Sequence, residues 1–316
     1  MGASQLDSRQ PNLLIAGAAR SGTTALSESL ARHPDICMSS PKEVHFLTHS
    51  GAAPSYTGPG DEVMMSKLIH DPDQFARLFD GATQRYCAEG SVTTLYWPDR
   101  SIPSIRQYCA ADTKLICLLR HPARRAHSAY LYLRSRGYED APTFEEGLAL
   151  EEQRIAAGYH HMWHYEAVSR YEQQLPQLAE AFGDRLHVMV FEEFRADPVT
   201  ELGRLCRFLD IDFEPSMLIE SDINRGGEAK SELFARVLSA ARSQPLIRET
   251  TVRLVPRVLR DRVRARNLRR PSVDPTTLSQ LNEAFAAAVQ ATESVIGRPI
   301  SAWSNEADDP GPSAQA

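Results

Sequence analysis

No stretch of the 316-residue chain approaches the ~18 consecutive apolar residues that a membrane-spanning helix requires. Residues 1–10 are polar and lack the apolar core of a secretory signal. The five cysteines include no CxxC pair, and none has the spacing from histidine that a structural zinc site needs. These absences predict a soluble protein of the reducing cytoplasm, without a membrane span and without a bound metal.

An excess of positive charge is also missing. The formal net charge is −6, which argues against a dedicated nucleic-acid binder. One segment departs from this balance, because residues 248–270 hold nine arginines and two acidic residues, with apolar residues at helical spacing. The pattern predicts a basic amphipathic helix at about 245–270. It either docks on the domain or offers a basic surface to an anionic acceptor or a membrane headgroup layer.

Short apolar runs alternate with helical patterns along most of the chain. The strand patterns are Leu13–Ala16, Ile36–Met38, Val44–Phe46, Arg85–Glu89, Lys114–Leu119 and Leu186–Phe191. The helical patterns are Thr23–Arg32, Pro122–Arg134, Tyr165–Phe182 and Val199–Leu209. This alternation predicts a three-layer α/β fold, with a mostly parallel central sheet and helices on both faces. We expect a flexible N-terminus at 1–10, a single domain at 11–303 and a disordered tail at 304–316.

The segment between the first strand and the first helix carries the strongest functional signal. A glycine turn there directs backbone N–H groups and the positive end of the helix dipole toward one anion. Gly17 and Gly22 have the spacing of the nucleotide-triphosphatase phosphate loop, GxxxxGK[ST], but Thr23 replaces its lysine. Without that lysine, a kinase or a nucleotide hydrolase is disfavoured. Arg20 suits a different anion, a single 5′-phosphate with a leaving oxygen beside it.

Two motifs in the chain resemble those of the sulfotransferases that use 3′-phosphoadenosine 5′-phosphosulfate (PAPS). Ala19–Thr24 matches their PKSGTT-like loop, with arginine in place of lysine. A strand that ends in Arg120 is followed by Pro122 and by Ser128, in the spacing of their second signature. Arg225–Gly227 loosely resembles a third, late loop of that family.

The resemblance extends from about residue 11 to about residue 230 and implies a P-loop-type site that binds both phosphorylated ends of PAPS. Arg120 would give the second phosphate a two-pronged contact, and Ser128 a neutral donor. Phe191 occupies the position where the cytosolic branch commonly has a tyrosine against adenine, so it can stack there but cannot hydrogen-bond. The implied donor-binding residues are Arg20, Ser21, Gly22, Thr23, Thr24, Arg120, Ser128, Arg225, Gly226 and Gly227. Three nearby arginines are expected to be solvated surface charges: Arg124, Arg125 and Arg134.

Transfer of a sulfo group requires a base for the acceptor hydroxyl and positive charge at the leaving oxygen. Glu43 and His45 are two residues apart, so in an extended strand both would face the same side. Their segment resembles the heparan-sulfate-type branch, in which the glutamate is the base, more than the phenol and steroid branch, which uses a histidine. The resemblance favours Glu43, with His45 as the alternative. Arg20 and the Thr23–Thr24 end of the loop are the candidates that stabilise the leaving oxygen.

The acceptor is predicted only as a hydroxyl group of a small molecule or a glycan. Glu89 and Tyr96 resemble residues near the acceptor in the heparan-sulfate-type branch, but Gly90 occupies a position where that branch often has lysine. The three histidines within 159–164 favour a wall of the acceptor pocket or the start of a helix over a metal site, because no nearby Cys, Asp or Glu set completes one. Two alternatives stay open: a P-loop kinase or nucleotide hydrolase, and a non-catalytic binder of adenosine 3′,5′-bisphosphate or of anionic glycans.

Overall fold

The computed structural model describes residues 9–219, 228–229, 268–269 and 273–304. Five of its strands are β1 (Leu13–Gly17), β2 (Ile36–Met38), β3 (Tyr86–Glu89), β4 (Lys114–Leu119) and β5 (Leu186–Val190). They form one parallel sheet in the order β2-β3-β1-β4-β5. A separate antiparallel pair consists of β6 (Glu228–Ala229) and β7 (Leu268–Arg269). The predicted mostly parallel sheet is confirmed.

Helices surround this sheet. Those up to the fourth strand are α1 (Thr23–Leu30), α2 (Phe46–His49), α3 (Asp61–Met64), α4 (Pro72–Ala76), α5 (Thr93–Tyr96) and α6 (Pro98–Tyr108). Between the fourth and fifth strands lie α7 (Pro122–Ser135), α8 (Phe144–Ala149), α9 (Glu151–Ala156) and α10 (Tyr171–Phe182). The later helices are α11 (Phe191–Ala196), α12 (Pro198–Leu209), α13 (Pro275–Ala284), α14 (Ala286–Ile296) and α15 (Ser301–Ser304).

Alternate residues of the central strands point to opposite faces of the sheet, and each face has its own apolar core. Leu14 and Leu115 pack on one face with residues of α6, α7 and α10. Leu13 and Ile116 pack on the other face with residues of α1 and α12. All four side chains are buried, with at most 1% of their surface exposed. Helices therefore cover both faces, which confirms the three-layer arrangement.

Several predicted boundaries differ from the structure by about one or two residues, and the start of one helix differs by more. The helix predicted at Tyr165–Phe182 begins only at Tyr171, after a 3₁₀ turn at Ala167–Ser169. The Tyr165 carbonyl accepts a hydrogen bond from the buried side chain of Arg125. This contact holds Tyr165 in the segment before the helix. The strand predicted to reach Phe191 ends one residue earlier, because Phe191 already begins α11.

The order of the strands locates a crevice. The chain lays β2 and β3 on one side of β1 and then crosses to place β4 on the other side. Open α/β sheets bind ligands where the connections diverge in this way, outside the carboxyl ends of the strands. Here those ends belong to β1 and β4, and the N–H of Ala18 joins them by donating to the Leu118 carbonyl at 2.8 Å.

Several predictions lie outside the described residues. They concern residues 1–8 of the N-terminus, the loop residues Arg225, Gly226 and Gly227, the basic segment at 245–270 apart from strand residues 268–269, and the tail beyond residue 304. In the part of the chain that is described, no helix is both long and apolar enough to cross a membrane.

Candidate active site

A cleft opens at the carboxyl ends of β1 and β4, where the strand order places the crevice. It encloses about 880 Å³, including space open to solvent at its mouth. The β1–α1 loop, the segment before α2, helix α7 and the start of α11 contribute to its walls. The lining residues are Ala19, Arg20, Gly22, Thr23, Thr24, Glu43, Val92, Arg120, Ser128, Tyr132, Arg136, Met162 and Phe191.

The cleft brings most of the predicted site residues together. Seven of them line it: Arg20, Gly22, Thr23, Thr24, Glu43, Arg120 and Ser128. Ser21 and His45 are buried and are not among the lining residues.

The loop between β1 and α1 depends on a glycine at position 22. Gly22 has a left-handed backbone, with φ of 89°, and no side chain caps the first turn of α1. A Cβ on Gly22 would lie 2.7 Å from the Phe191 ring. The glycine therefore allows both the turn and the close approach of the ring. The positive end of the α1 dipole is left at the cleft, beside Thr23 and Thr24.

Arg20 brings uncompensated positive charge into the cleft. Its guanidinium carbon lies 4.4 Å from the ring centre of Tyr132, and its Nε is buried without a hydrogen-bond partner in the described part of the chain. Burial lowers the pKa of Arg20 to about 10, and the charges of Arg120 and Arg136 act in the same direction. Glu43 opposes them, but three guanidinium groups face one carboxylate. The arrangement favours an anionic ligand.

Two residues of α7 and its C-cap residue, Arg136, line the cleft. Ser128, Tyr132 and Arg136 follow one another at intervals of four residues, which places them on one face of a helix. The Arg136 guanidinium carbon also lies 4.4 Å from the Tyr132 ring centre. Sequence reasoning identified only Ser128. The four-residue spacing within the predicted helix was the signal that could have identified Tyr132.

Arg120 leaves β4 at the floor of the crevice. Its guanidinium carbon lies 5.2 Å from the ring centre of Phe191, and its Nη1 donates to the Arg20 carbonyl at 3.5 Å. The hydroxyl of Tyr171 donates to the Arg120 carbonyl at 3.0 Å. Glu192 Oε1 lies 4.0 Å from the Arg120 Nε. Together these contacts fix the backbone and the side chain at the cleft wall.

Glu43 and His45 lie in a turn rather than in the predicted strand. Both have a left-handed backbone, with φ of 61° and 52°. The expectation that they share one face of an extended Val44–Phe46 strand is therefore wrong. Among the described non-glycine residues, positive φ occurs at Arg20, Glu43, His45 and Asp210. Three of these four are the predicted catalytic residues, and such backbone conformations cluster at functional sites.

A buried carboxylate supports this turn from behind. Glu89 is 1% exposed and accepts the hydroxyl of Ser91 at 2.5 Å. Ser91 Oγ in turn accepts the N–H of His45 at 2.9 Å, and the N–H of Glu43 donates to the Gly90 carbonyl at 3.1 Å. Burial raises the pKa of Glu89 to about 7, although the Ser91 hydrogen bond favours its charged form. The segment after β3 thus sets the position of both candidate bases.

Lys42 controls the charge of Glu43. Its Nζ lies 2.8 Å from Glu43 Oε1. Burial raises the pKa of Glu43, but the Lys42 charge and hydrogen bond, with smaller contributions from His45 and Lys67, bring it down to about 2. Glu43 is therefore ionised at neutral pH. Gly90 occupies a position where the heparan-sulfate-type branch often has lysine. The side chain of Lys42 lies next to Gly90, with its Cε 3.3 Å from the place that a Cβ on Gly90 would take. A cationic side chain is therefore present beside this glycine.

His45 is neutral, and its hydrogen bonds define its tautomer. Burial lowers the pKa of His45 to about 4. Its Nδ1 lies 3.0 Å from Thr93 Oγ1, which lies 2.9 Å from Thr48 Oγ1. Thr48 gives its one hydroxyl proton to the His45 carbonyl at 3.1 Å, so Thr93 donates to Thr48 and His45 Nδ1 donates to Thr93. The remaining lone pair of His45 lies on Nε2.

The histidines within 159–164 join His45 in a buried cluster. The ring centres of His45 and His161 are 5.5 Å apart, and those of His160 and His161 are 3.9 Å apart. Burial lowers the pKa of His160 to about 3. Met162 lines the cleft, so this segment reaches its wall. Among the residues that the structure describes, no group of three or more His, Cys, Asp or Glu side chains is arranged to hold a metal ion.

Arg125 is not the surface charge that was expected. Its side chain is fully buried, with Nε donating to Ser169 Oγ at 2.6 Å and Nη2 donating to the Tyr165 carbonyl. It ties the segment before α10 to α7. Those partners are about 40 residues further along the chain, so local sequence could not reveal them. Arg124 and Arg134 are partly exposed.

A model for the sulfotransferase domain matches residues 10–226 of the chain. The chain belongs to the sulfotransferase family. It is 29% identical over 202 residues to human heparan sulfate glucosamine 3-O-sulfotransferase 3B1, with 64% of this chain and 46% of that protein covered. It is also 29% identical over 202 residues to human heparan sulfate glucosamine 3-O-sulfotransferase 3A1, with 64% of this chain and 44% of that protein covered. This sulfotransferase-family chain thus spans about half the length of the curated relatives it matches.

A solved structure supports the same assignment over nearly the whole chain. The crystal structure of a sulfotransferase from Alicyclobacillus acidocaldarius is 32% identical to this family member, with a TM-score of 0.69. The match covers 94% of this chain and 99% of that one. The predicted resemblance, nearer to the heparan-sulfate-type and bacterial sulfotransferases than to the phenol and steroid branch, is confirmed.

Proposed function

We propose that this sulfotransferase-family chain transfers a sulfo group from PAPS to an acceptor hydroxyl. The observation that supports the proposal most is that Arg20, Arg120 and Ser128 line one cleft together with Glu43. Groups suited to a doubly phosphorylated adenosine and a carboxylate suited to the acceptor proton therefore border the same space.

The residues of the cleft fit such a donor. The buried Arg20 Nε has no hydrogen-bond partner in the described part of the chain, and α1 begins at the cleft without a side-chain cap. These groups would hold the 5′-phosphate end. Arg120 and Ser128, on the adjoining strand end and helix, would hold the 3′-phosphate. The Phe191 ring lines the same wall and offers a face for adenine.

The proposed reaction needs a base and a source of positive charge from this chain. The bond between sulfur and the donor's phosphate oxygen breaks as a new bond forms between sulfur and the acceptor oxygen. Glu43 takes the proton of the acceptor hydroxyl. Arg20 and the positive end of α1 balance the negative charge that develops on the leaving phosphate oxygen. PAPS supplies the activated sulfo group.

Glu43 is favoured over His45 as the base because it lines the cleft, whereas His45 is buried outside it. We propose a glycan hydroxyl as the preferred acceptor and a small-molecule hydroxyl as the alternative. The proposal of a glycan draws on the two human relatives, which are named heparan sulfate glucosamine 3-O-sulfotransferases. Arg136 at the cleft wall adds positive charge that an acidic glycan would meet.

The variant Glu43→Gln tests the proposal. It keeps the size of the side chain but removes the base, so the turnover of sulfo transfer should fall by about 10²-fold or more. The affinity for adenosine 3′,5′-bisphosphate, measured by calorimetry, should stay at the wild-type value. Activity is measured with ³⁵S-labelled PAPS and a panel of desulfated heparan oligosaccharides, simple sugars and phenols. Glu28→Gln, an exposed residue of α1, is the matched control and should be fully active.

Three results would contradict parts of this scheme. Near-normal turnover in Glu43→Gln would show that Glu43 is not the base for the acceptor hydroxyl. Tight binding of the bisphosphate with no transfer to any acceptor would favour a non-catalytic nucleotide binder. Magnesium-dependent hydrolysis of ATP would favour the kinase or hydrolase alternative.

A further inference from the structure

Glu192, the second residue of α11, has a different set of partners at each oxygen. Oε1 accepts the backbone N–H of His121 at 3.3 Å and lies 4.0 Å from Arg120 Nε. Oε2 accepts the indole N–H of Trp303 at 2.9 Å. The Glu192 side chain is only 6% exposed. A single buried carboxylate therefore joins the arginine of the cleft to α15, near the C-terminal end of the described chain.

Trp303 is held so that its N–H reaches this carboxylate. Its ring is 6% exposed and meets the His121 ring edge to face, with 5.9 Å between the centres. Five residues earlier, Arg298 donates two hydrogen bonds to Glu193, at 2.8 and 2.5 Å. The indole contact and this ion pair both attach the segment 298–304 to α11.

The distance between Glu192 and Arg120 matters for anion binding. A carboxylate in direct contact with Arg120 would compete with a phosphate for the same guanidinium N–H groups. At 4.0 Å the carboxylate still attracts the guanidinium but lies beyond hydrogen-bond distance. Both Glu192 oxygens are instead bonded to uncharged N–H donors, from His121 and Trp303.

We propose that Trp303 is a positioning residue for the donor: by bonding Glu192, it keeps Arg120 oriented toward the 3′-phosphate. The inference rests on the proposed function, in which Arg120 binds that phosphate. Loss of the indole N–H leaves one oxygen of a buried carboxylate unpaired, which is costly. Arg120, a charged donor 4.0 Å from the other oxygen of the same carboxylate, is then drawn to Glu192 and away from the phosphate.

The variant Trp303→Phe removes the N–H and keeps an aromatic ring against His121. Calorimetry with adenosine 3′,5′-bisphosphate and with AMP, which lacks the 3′-phosphate, measures the preference for the bisphosphate as a ratio of the two dissociation constants. We expect this preference to fall by about tenfold in Trp303→Phe, the size of a lost hydrogen bond to a charged group. The affinity for AMP should not change.

The chain offers a matched control. Trp163 is also buried, and its indole N–H donates to Asp61 Oδ1 at 3.0 Å rather than to Glu192. Trp163→Phe should lower the melting temperature but leave the nucleotide preference at its wild-type value. The double variant Trp303→Phe with Glu192→Gln should regain the preference, because an uncharged amide oxygen binds Arg120 more weakly than a carboxylate does.

The outcomes separate this inference from the proposed function. A wild-type protein without a preference for the bisphosphate overturns the proposed function itself. A wild-type preference that persists in Trp303→Phe, or that falls equally in Trp163→Phe, overturns only the role of Trp303. If Trp303→Phe does not fold, Arg298→Met loosens the same segment at an exposed ion pair. It should lower the preference in the same direction, and an unchanged preference overturns the inference.

Discussion

A carboxylate with a pKa of about 2 is ionised at every physiological pH but holds a proton weakly. Glu43 has this character because Lys42 lies 2.8 Å from it, which more than offsets the partial burial of the Glu43 side chain. Lys42 therefore keeps the carboxylate charged while no acceptor is bound. An acceptor hydroxyl that donates to Glu43 has to share or displace this ammonium group.

The variant Lys42→Met should move the acid side of the pH–rate profile. Without the ammonium group the pKa of Glu43 rises, because the largest charge that opposes its burial is removed. Glu43 acts as a base only when deprotonated, so the pH below which kcat/KM declines should rise by about one unit or more. Lys67→Met is the matched control and should shift it less, because Lys67 makes the smallest contribution. An unchanged profile in Lys42→Met would separate Lys42 from the base.

At the scale of the element, the β1–α1 loop combines a left-handed turn with a close contact to α11. The variant Gly22→Ala should lose about 1–2 kcal/mol of stability from the left-handed backbone alone. It should lose more because its Cβ would lie 2.7 Å from Phe191. Displacement of the loop should also weaken the affinity for adenosine 3′,5′-bisphosphate by about tenfold or more.

Gly51→Ala isolates the backbone part of this effect. Gly51 has a similar φ of 83°, but a Cβ there would have no atom within 4 Å. Denaturant unfolding should therefore show a smaller loss than in Gly22→Ala, and calorimetry should show unchanged nucleotide affinity. Equal losses in the two variants would mean that the contact with Phe191 carries no weight.

The elements that the sequence predicts well are those whose structure depends on residues within the same short segment. β1, β4 and α7 follow from an apolar run or from a proline at a helix start, and the structure confirms each within about one or two residues. The turn at Glu43 and His45 has distant causes, because Ser91 and Gly90 hold it from the end of β3. An alternating pattern of polar and apolar residues could not distinguish that turn from a strand.

The site shows the same division between local and distant causes. The donor loop and the Arg120–Ser128 spacing lie within short segments, so their convergence at one cleft followed from the parallel sheet. The bond from Trp303 to Glu192 joins residues more than 100 positions apart. The burial of Arg125 likewise depends on the Tyr165 carbonyl and the Ser169 hydroxyl, which belong to a segment whose sequence predicts a helix. Contacts of this kind appear only when the whole chain is folded.

At the scale of the whole molecule, burial sets the protonation of most histidines. The sequence has ten histidines, and the pKa of eight of them is lowered by burial. These are His45, His49, His121, His127, His160, His161, His164 and His187. Five of the eight lie together behind the candidate base: His45, His49, His160, His161 and His164. Folding therefore requires these rings to be neutral.

This requirement predicts a fold that is stable at neutral pH and sensitive to acid. Between the folded pKa values of about 4 and the ordinary value of 6.5, the unfolded chain binds more protons at these histidines than the folded chain does. Stability is therefore fully present above about pH 6.5 and is lost as the pH falls. The buried histidines of the cluster all act in this direction, so the free energy of unfolding falls as the pH falls below 6.5. Glu89, whose pKa is raised to about 7, opposes this with the slope of a single group.

Denaturant unfolding at pH 7.5, 6.5 and 5.5 measures the effect. The free energy of unfolding should be highest at pH 7.5 and lowest at pH 5.5. The variant His49→Gln removes one titrating ring at the edge of the cluster, where its Nε2 lies 3.1 Å from the Tyr56 hydroxyl. Its slope should be smaller by the share of one histidine. Stability that stays constant between pH 7.5 and 5.5 would show that the buried rings bind protons as readily in the folded chain as in the unfolded one.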